Sequence, residues 1–323
     1  MTRSSSLALV AVTALLLGAA PPEAPLAVSS WVYVGPDQRL HYKTDGLGNR
    51  ILDFSFAGYG GGGVALPAVP VTATLSPAAG DDTAAIQAAI DAASKLTPDA
   101  QGFRGAVLLG PGKYVVNGAL TLGASGVVVR GSGSGAGGTV LDVTGGAAHL
   151  VFQIGGTGSW KASGAAASIV DSYVPSGATS FTIDDGSNFQ VGDPVLVGRP
   201  VTQPWVHLMG MDALTGTSGA QTWIGVGTVI QTDRVIAAIH GNDVTLDAPL
   251  PDSFDATYLS PPGATLTKYT FPGRVSNVGL EHLQVIAAAV NEPITSPQYR
   301  GAELDAVEDA WIDDVAFQDT QNT

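Results

Sequence analysis

From residue 105 onward the apolar positions come in short clusters punctuated by glycine: "GAVLLG" (105–110), "KYVV" (113–116), "LTL" (120–122), "GVVVRG" (126–131) and "GTVLDV" (138–143). Runs of this length between turn residues predict strands. Ahead of them lies one stretch of helical period. In "GDDTAAIQAAIDAA" (80–93) Ile86, Ala89, Ile90 and Ala93 recur on one face, and Thr97-Pro98 stops the pattern. A single helix followed by a procession of short strands does not fit a doubly wound sheet. It fits a solenoid whose open end is covered by a helix.

The adjacent carboxylates of Asp81 and Asp82 invite an acid/base reading. Neighbouring residues diverge at a helix start, however, and either aspartate can accept from the free N–H groups of the first turn. The pair is therefore assigned to helix capping.

Late in the chain the strand pattern repeats. Leu280, Leu283 and Val285 in "VGLEHLQV" are spaced three, then two, and Ile312, Val315 and Phe317 in "AWIDDVAF" repeat that spacing 32 positions on, with Asn277 aligned to Asp309. Inward residues in register at a common period are what stacked coils require. "NEPITSPQYR" (291–300) is the surplus, a loop projecting from one coil. Between the two blocks the rhythm changes. "SFTIDD", "FQVGDPVLVG", "DRVIAAIHGNDVTLD" and "TLTKYTF" alternate with Asp-Gly, Gly-Asp and Gly-Asn turns, as antiparallel hairpins do.

"GDDTAAIQAAIDAA", "GAVLLGPGKYVV" and "GVVVRGSG" together resemble the opening of pectate-lyase-superfamily proteins. That resemblance implies an all-β fold: a right-handed parallel β-helix with an N-terminal capping α-helix, here carrying an inserted antiparallel β-barrel or sandwich domain. The expected layout is a signal peptide at 1–24, a lead-in segment at 25–79, the helix and first coils at 80–164, the insertion at 165–272 and further coils at 273–323. "AFQDTQNT" follows a strand of mid-solenoid character, so additional coils are expected beyond it.

Composition narrows the function classes. Arg3 followed by an apolar run from Leu7 to Leu17 and a stretch of small residues and prolines reads as a secretory signal, too short to span a bilayer. The expected protein is secreted, extracellular or periplasmic. It has no cysteine, so an exported chain must rely on its core and hydrogen-bonded backbone. A formal charge of −14 disfavours nucleic acid and anionic membrane surfaces as partners. The glycine-rich "GYGGGG" (58–63) and "GSGSGAGG" (131–138) lack the strand–loop–helix setting and lysine of a phosphate loop, and read as turns.

Three places could carry chemistry. In the long apolar segment 199–225, Trp205 and Trp223 offer flat faces for sugar rings, with His207 and Asp212 as polar anchors; the competing reading has these aromatics gluing the insertion to the solenoid. In the acidic coil 300–319, Glu303 and Asp305 lie two apart on a strand and so share a face. With Asp309 they supply the paired carboxylates of glycoside hydrolysis; the competing reading is a solvated acidic face with turn-capping aspartates. Third, Arg300 with Glu281 and His282 could neutralise a uronate and abstract its proton.

The resemblance implies a polysaccharide or oligosaccharide partner in a groove on one solenoid face. The expected function is a glycoside hydrolase with Glu303, Asp305 and Asp309 catalytic and Trp205, His207, Asp212, Trp223 and Arg300 binding substrate, needing no metal or other cofactor. The alternatives are a polysaccharide lyase assisted by Ca2+ and a non-catalytic carbohydrate-binding or adhesin β-helix. Oligomeric state is left open.

Overall fold

The structure, a computed structural model, describes residues 29–216, 219–220, 223–293 and 295–321. The signal-peptide reading of residues 1–24 lies outside them. The chain divides into two units at Lys43. The described part of the first is a hairpin, Val32–Val34 against Leu40–Tyr42, in which His41 bonds to Asp37. Everything from Thr44 onward belongs to the second unit, which is mostly β.

Its frame is three parallel sheets built from the same succession of rungs. In the first, Val71–Leu75, Gly105–Leu109, Val127–Arg130, the leading half of Val275–Ile286 and the leading half of Val307–Gln318 lie side by side. The second continues the same rungs as Gly112–Val115, Thr139–Asp142 and the trailing halves of the two long strands. The third holds Leu120–Leu122, Leu150–Gly155 and Arg300–Asp305. Leu280 pairs with Val129 on one side and with Ile312 on the other.

Each long strand turns its corners on residues in the left-handed region. Asn277 and Asp309 (φ 58° and 49°) occupy one corner, His282 and Asp314 (φ 54° and 49°) the next. Asn, Asp and His tolerate that backbone better than branched residues do. Between the sheets, Leu109, Tyr114, Leu120, Leu141, Phe152, Leu280 and Val285 fill one continuous core. Each such side chain contributes about 1.5–3 kcal/mol relative to exposure.

Helix Thr83–Ser94 adds Ile86, Ile90 and Ala93 to that core. The two aspartates before it divide the work. Asp81 Oδ1 accepts from the Thr83 N–H at 2.9 Å, while the buried Asp82 accepts from Ala78 N (2.9 Å) and from Val115 N (3.1 Å). Capping thus falls to Asp81, and Asp82 sews the helix approach to the second sheet. Both are structural.

The outer side of the first sheet is closed. Ala106, Val128, Gly279 and Trp311 form one register column, and Trp311 lies over Gly279, where a Cβ would come within 2.3 Å of the indole. Val69, Phe103 and Tyr59 pack on the same tryptophan. In the next column Glu281 is only 4 % exposed. Its two oxygens take Arg130 Nε at 2.5 Å and Trp311 Nε1 at 2.8 Å. A carboxylate withdrawn from water persists only with such full pairing.

After Gly155 the chain leaves the rungs and returns before Val275. The excursion contains an antiparallel sheet in the order Lys161–Ala162, Thr265–Thr270, Pro194–Pro200, Val229–His240, Asp243–Leu246 and Ser180–Thr182. A two-residue Gly241–Asn242 turn, with Gly241 at φ 62°, joins two of its strands. Val195, Val197, Ile236, Val244, Leu246 and Leu266 give this sheet a core of its own. The ends of the excursion meet at a neck. Thr157 N donates to Gly273 O at 2.9 Å, and a Cβ on Gly156 would lie 1.9 Å from the same oxygen. Arg274 bolts the neck, donating to Val307 O on the last rung and to Asp233 and the Tyr269 hydroxyl of the antiparallel sheet. Burial and the adjacent Asp233 push the Tyr269 hydroxyl well above the usual tyrosine range.

Gly279→Ala should destabilise the protein by about 1–3 kcal/mol, because a methyl group there must displace the indole. Thermal unfolding checks it. The same substitution made in a Trp311→Ala background should cost much less, and an undiminished cost would show that the tryptophan is not the obstacle.

Candidate functional site

Strand Arg300–Asp305 closes the third sheet, and its register decides what faces outward. Ala302 and Leu304 stand beside the core residues Phe152 and Ile154, on the core side of the strand, where Ala302 is buried and Leu304 is 39 % exposed. Glu303 and Asp305 take the opposite side and are exposed. At a strand rise of about 3.3 Å per residue their positions are roughly 6.6 Å apart. Glycoside hydrolysis needs two carboxyl groups about 5–10 Å apart, and alternate positions on one strand face are a way for a single strand to present such a pair.

Glu303 belongs to a polar column. Thr121 pairs with Gln153 and Gln153 with Glu303, all three exposed. Gln87 of the helix extends the row by exchanging bonds with the Thr121 backbone. Asp305 stands beside Gly155, where a Cβ would come within 2.2 Å of the Asp305 carbonyl oxygen. The backbones there touch, and Gly155 brings no side chain beside the carboxylate. The result is an open strip with hydrogen-bonding groups along one edge and a bare glycine beside Asp305. Arg300 Nη1 bonds to Glu303 Oε2 at 2.7 Å, with both side chains about half exposed. Arg300 also lines a polar cleft of about 350 Å3 with His149, Ser296 and Gln298.

Asp309 does not join this group. It sits around the corner from Asp305, and its Oδ1 accepts from Gly60 N at 2.9 Å, fastening the segment that covers the first sheet. The trio of Arg300, Glu281 and His282 is likewise dispersed. Glu281 is consumed by Arg130 and Trp311, and His282 Nδ1 bonds to Asp314 at 3.0 Å. The hydroxyl of Ser134 and then His282 hold the Asp314 carboxyl below its usual range.

The tryptophan segment is only partly what its composition suggests. Thr202 caps a short helix, Gln203–Leu208, that carries Trp205 and His207. Trp205 stacks on the buried Arg199 guanidinium at 4.2 Å and packs against Val201, Val206 and Met211. Its contacts are thus with the antiparallel unit. His207 and Asp212 are brought together, Nδ1 to Oδ2 at 2.9 Å, with His207 largely in solvent. Trp223 is 76 % exposed. The face available to a ligand is therefore Trp223's, while Trp205 is engaged in packing. Residues 217–218 and 221–222 of this segment lie outside the described residues.

In the sequence His149 lies in a strand-like context and reads as structural. Its place at the cleft depends on Arg300 returning beside it: Arg300 N donates to His149 O at 3.0 Å.

No known protein family matches the chain, and no curated protein does. Solved structures to which it is similar include three phage tailspikes. The tailspike of Pseudomonas phage LKA1 is 18% identical over 72% of this chain, with a TM-score of 0.35. That of Acinetobacter baumannii bacteriophage AP22, solved in complex with A. baumannii capsular saccharide, is 11% identical over 71%, with a TM-score of 0.32. That of Pseudomonas phage phi297 is 14% identical over 73%, with a TM-score of 0.34. The chain spans 31%, 32% and 41% of those chains, respectively.

Replacing Trp205 by alanine should lower stability by about 1–3 kcal/mol, since it removes a packed ring from a buried cation. Trp223→Ala should stay within about 0.5 kcal/mol of the parent. Paired melting curves distinguish the two; equal losses would mean that Trp223 is packed as well.

Proposed function

We propose that this chain is a right-handed parallel β-helix, capped by helix 83–94 and carrying the antiparallel unit as an insertion, that processes polysaccharide along its third sheet. The reading rests on one observation: Glu303 and Asp305 share an open outer face, flanked by the Thr121–Gln153 column and by a cleft holding Arg300.

Glycoside hydrolysis is the chemistry that this face fits best. One carboxyl must protonate the departing oxygen while the other acts as base or nucleophile. Glu303, ion-paired with Arg300, takes the second part and Asp305 the first. Thr121 and Gln153 supply donors and acceptors that follow a sugar chain along the stacked rungs, and Trp223 provides a stacking face at a separate place on the antiparallel unit. Asp309 positions the covering segment rather than the substrate. The same face would serve a lyase differently, with Arg300 neutralising a uronate and a bound Ca2+ sharing that task, and a binder would use it with no reaction at all. Export of the protein is part of this proposal, resting on the apolar run Leu7–Leu17.

A panel of polysaccharides incubated with the full chain, with and without chelator, separates these outcomes. Hydrolysis raises reducing ends with no unsaturated, ultraviolet-absorbing product. For the hydrolase, Glu303→Gln and Asp305→Asn should each lower turnover by about 10²–10⁴-fold, while Asp309→Asn lowers the melting temperature and leaves turnover near that of the parent. Unchanged turnover in both Glu303→Gln and Asp305→Asn would refute the carboxylate assignment.

A further inference from the structure

The third sheet carries little positive charge. Its strands, Leu120–Leu122, Leu150–Gly155 and Arg300–Asp305, contain one cation, Arg300, and helix Thr83–Ser94 at the end of the polar row contains none. Arg300 is already engaged, its Nη1 on Glu303 Oε2 at 2.7 Å. The other charges of the row are acidic. They are Asp305 on the sheet and Asp91 on the helix, which accepts from Gln87 Nε2 at 2.8 Å. Among the described residues neither of these two carboxylates has a lysine or arginine partner. Cations elsewhere are spent on structural pairs, Arg130 with Glu281, Arg199 with Asp252 and Arg274 with Asp233. The formal charge of −14 over the chain adds to the negative field of this face.

What the face does offer is neutral and free. Gln153 stands between Thr121 and Glu303 in the ladder, and all three are exposed. The Gln153 amide and the Thr121 hydroxyl have no side-chain hydrogen bond among the described residues. An amide both donates and accepts, and so does a hydroxyl. Sugar hydroxyls and acetamido groups match them in either direction. A carboxylate or sulfate only accepts, and it brings a second negative charge close to Asp305. At such range the repulsion is poorly screened by salt, since the separation is below the Debye length of about 8–10 Å.

We infer that this face selects an uncharged stretch of polysaccharide, with Gln153 the residue that sets the preference, and turns away uronate-rich and sulfated chains. The inference rests on the saccharide reading of the same face and narrows its substrate class. Gln153 is the nearest neighbour of Glu303 along the ladder, so its neutrality withholds the counter-charge that an anionic sugar needs there. The class also bears on the reaction. Elimination draws on a proton made acidic by an adjacent carboxylate, and a neutral sugar has no such proton. Hydrolysis asks only for a leaving oxygen that can be protonated.

The test uses the full chain and polymers matched except for charge. Hyaluronan, polygalacturonate and alginate are each paired with their carboxyl-reduced neutral forms, and dextran, laminarin and galactomannan are added as neutral probes. Calorimetry at low and high salt measures affinity. At least one neutral polymer should bind, with an affinity that salt changes by less than about twofold. Every polyanion should bind about tenfold or more weakly than that polymer. Gln153→Leu, which removes the amide, should weaken the neutral polymer about fivefold or more. Gln153→Lys should bring a polyanion about tenfold closer to it at low salt, a gain that fades at high salt. A polyanion that binds the parent chain as tightly as any neutral polymer overturns the inference. So does a failure of every neutral polymer to bind, or a Gln153→Leu chain that binds like the parent. A polyanion turned over by the parent but not by Glu303→Gln or Asp305→Asn would sink the neutral class while leaving the carboxylate assignment standing. Turnover that survives both substitutions would sink that assignment whichever polymer is bound.

Discussion

The ladder that strand 275–286 forms with strands 127–130 and 139–142 is the constraint on which the rest depends. Gly279 meets Val128 only after an excursion of well over a hundred residues, and closing a loop of that length carries an entropic cost. The hydrogen bonds of the ladder and the burial of Leu280, Leu283 and Val285 offset it. A slip of one residue would send those three side chains outward and bring Glu281 into an apolar interior. Burial therefore fixes the pairing, and the pairing in turn puts strand 300–305 beside 150–155 and Glu303 beside Gln153.

The three outer faces are not equivalent. The first is sealed by Trp311 and the segment from Tyr59 to Val69, with Glu281 and Arg130 paired beneath it. The second displays Lys113 ion-paired with Asp142, then Gln284 beside Gln318. The third is open, and its polar groups are partly unspent. A ligand needing many hydrogen bonds gains most there, since new contacts replace water rather than existing bonds.

Much of this frame could be read from residue pattern, because solenoid coils and hairpins announce themselves locally. The spacing of Leu280, Leu283 and Val285 returns in Ile312, Val315 and Phe317 as paired strands, and the alignment of Asn277 with Asp309 marks a shared left-handed corner. What pattern could not supply were contacts between distant segments. Glu281 looks like any acidic residue until Arg130, 151 positions earlier, is placed against it. Trp205 resembles an exposed platform until Arg199 is found beneath its ring. Asp309 looks like a third member of a carboxylate set until Gly60 claims it. His149 comes to lie beside Arg300 only through the pairing of distant strands, Arg300 N donating to His149 O.

The neck between Gly156 and Gly273 uncouples two things usually linked in a chain, the size of a segment and the geometry of the rungs beyond it. Its two sides touch, backbone against backbone, so the span between them exerts little leverage on the pitch of the stack. Such a port tolerates exchange: a longer, shorter or differently shaped module could be seated there while Gly279 still finds Val128. Surface novelty can then accumulate on a scaffold whose interior stays constant.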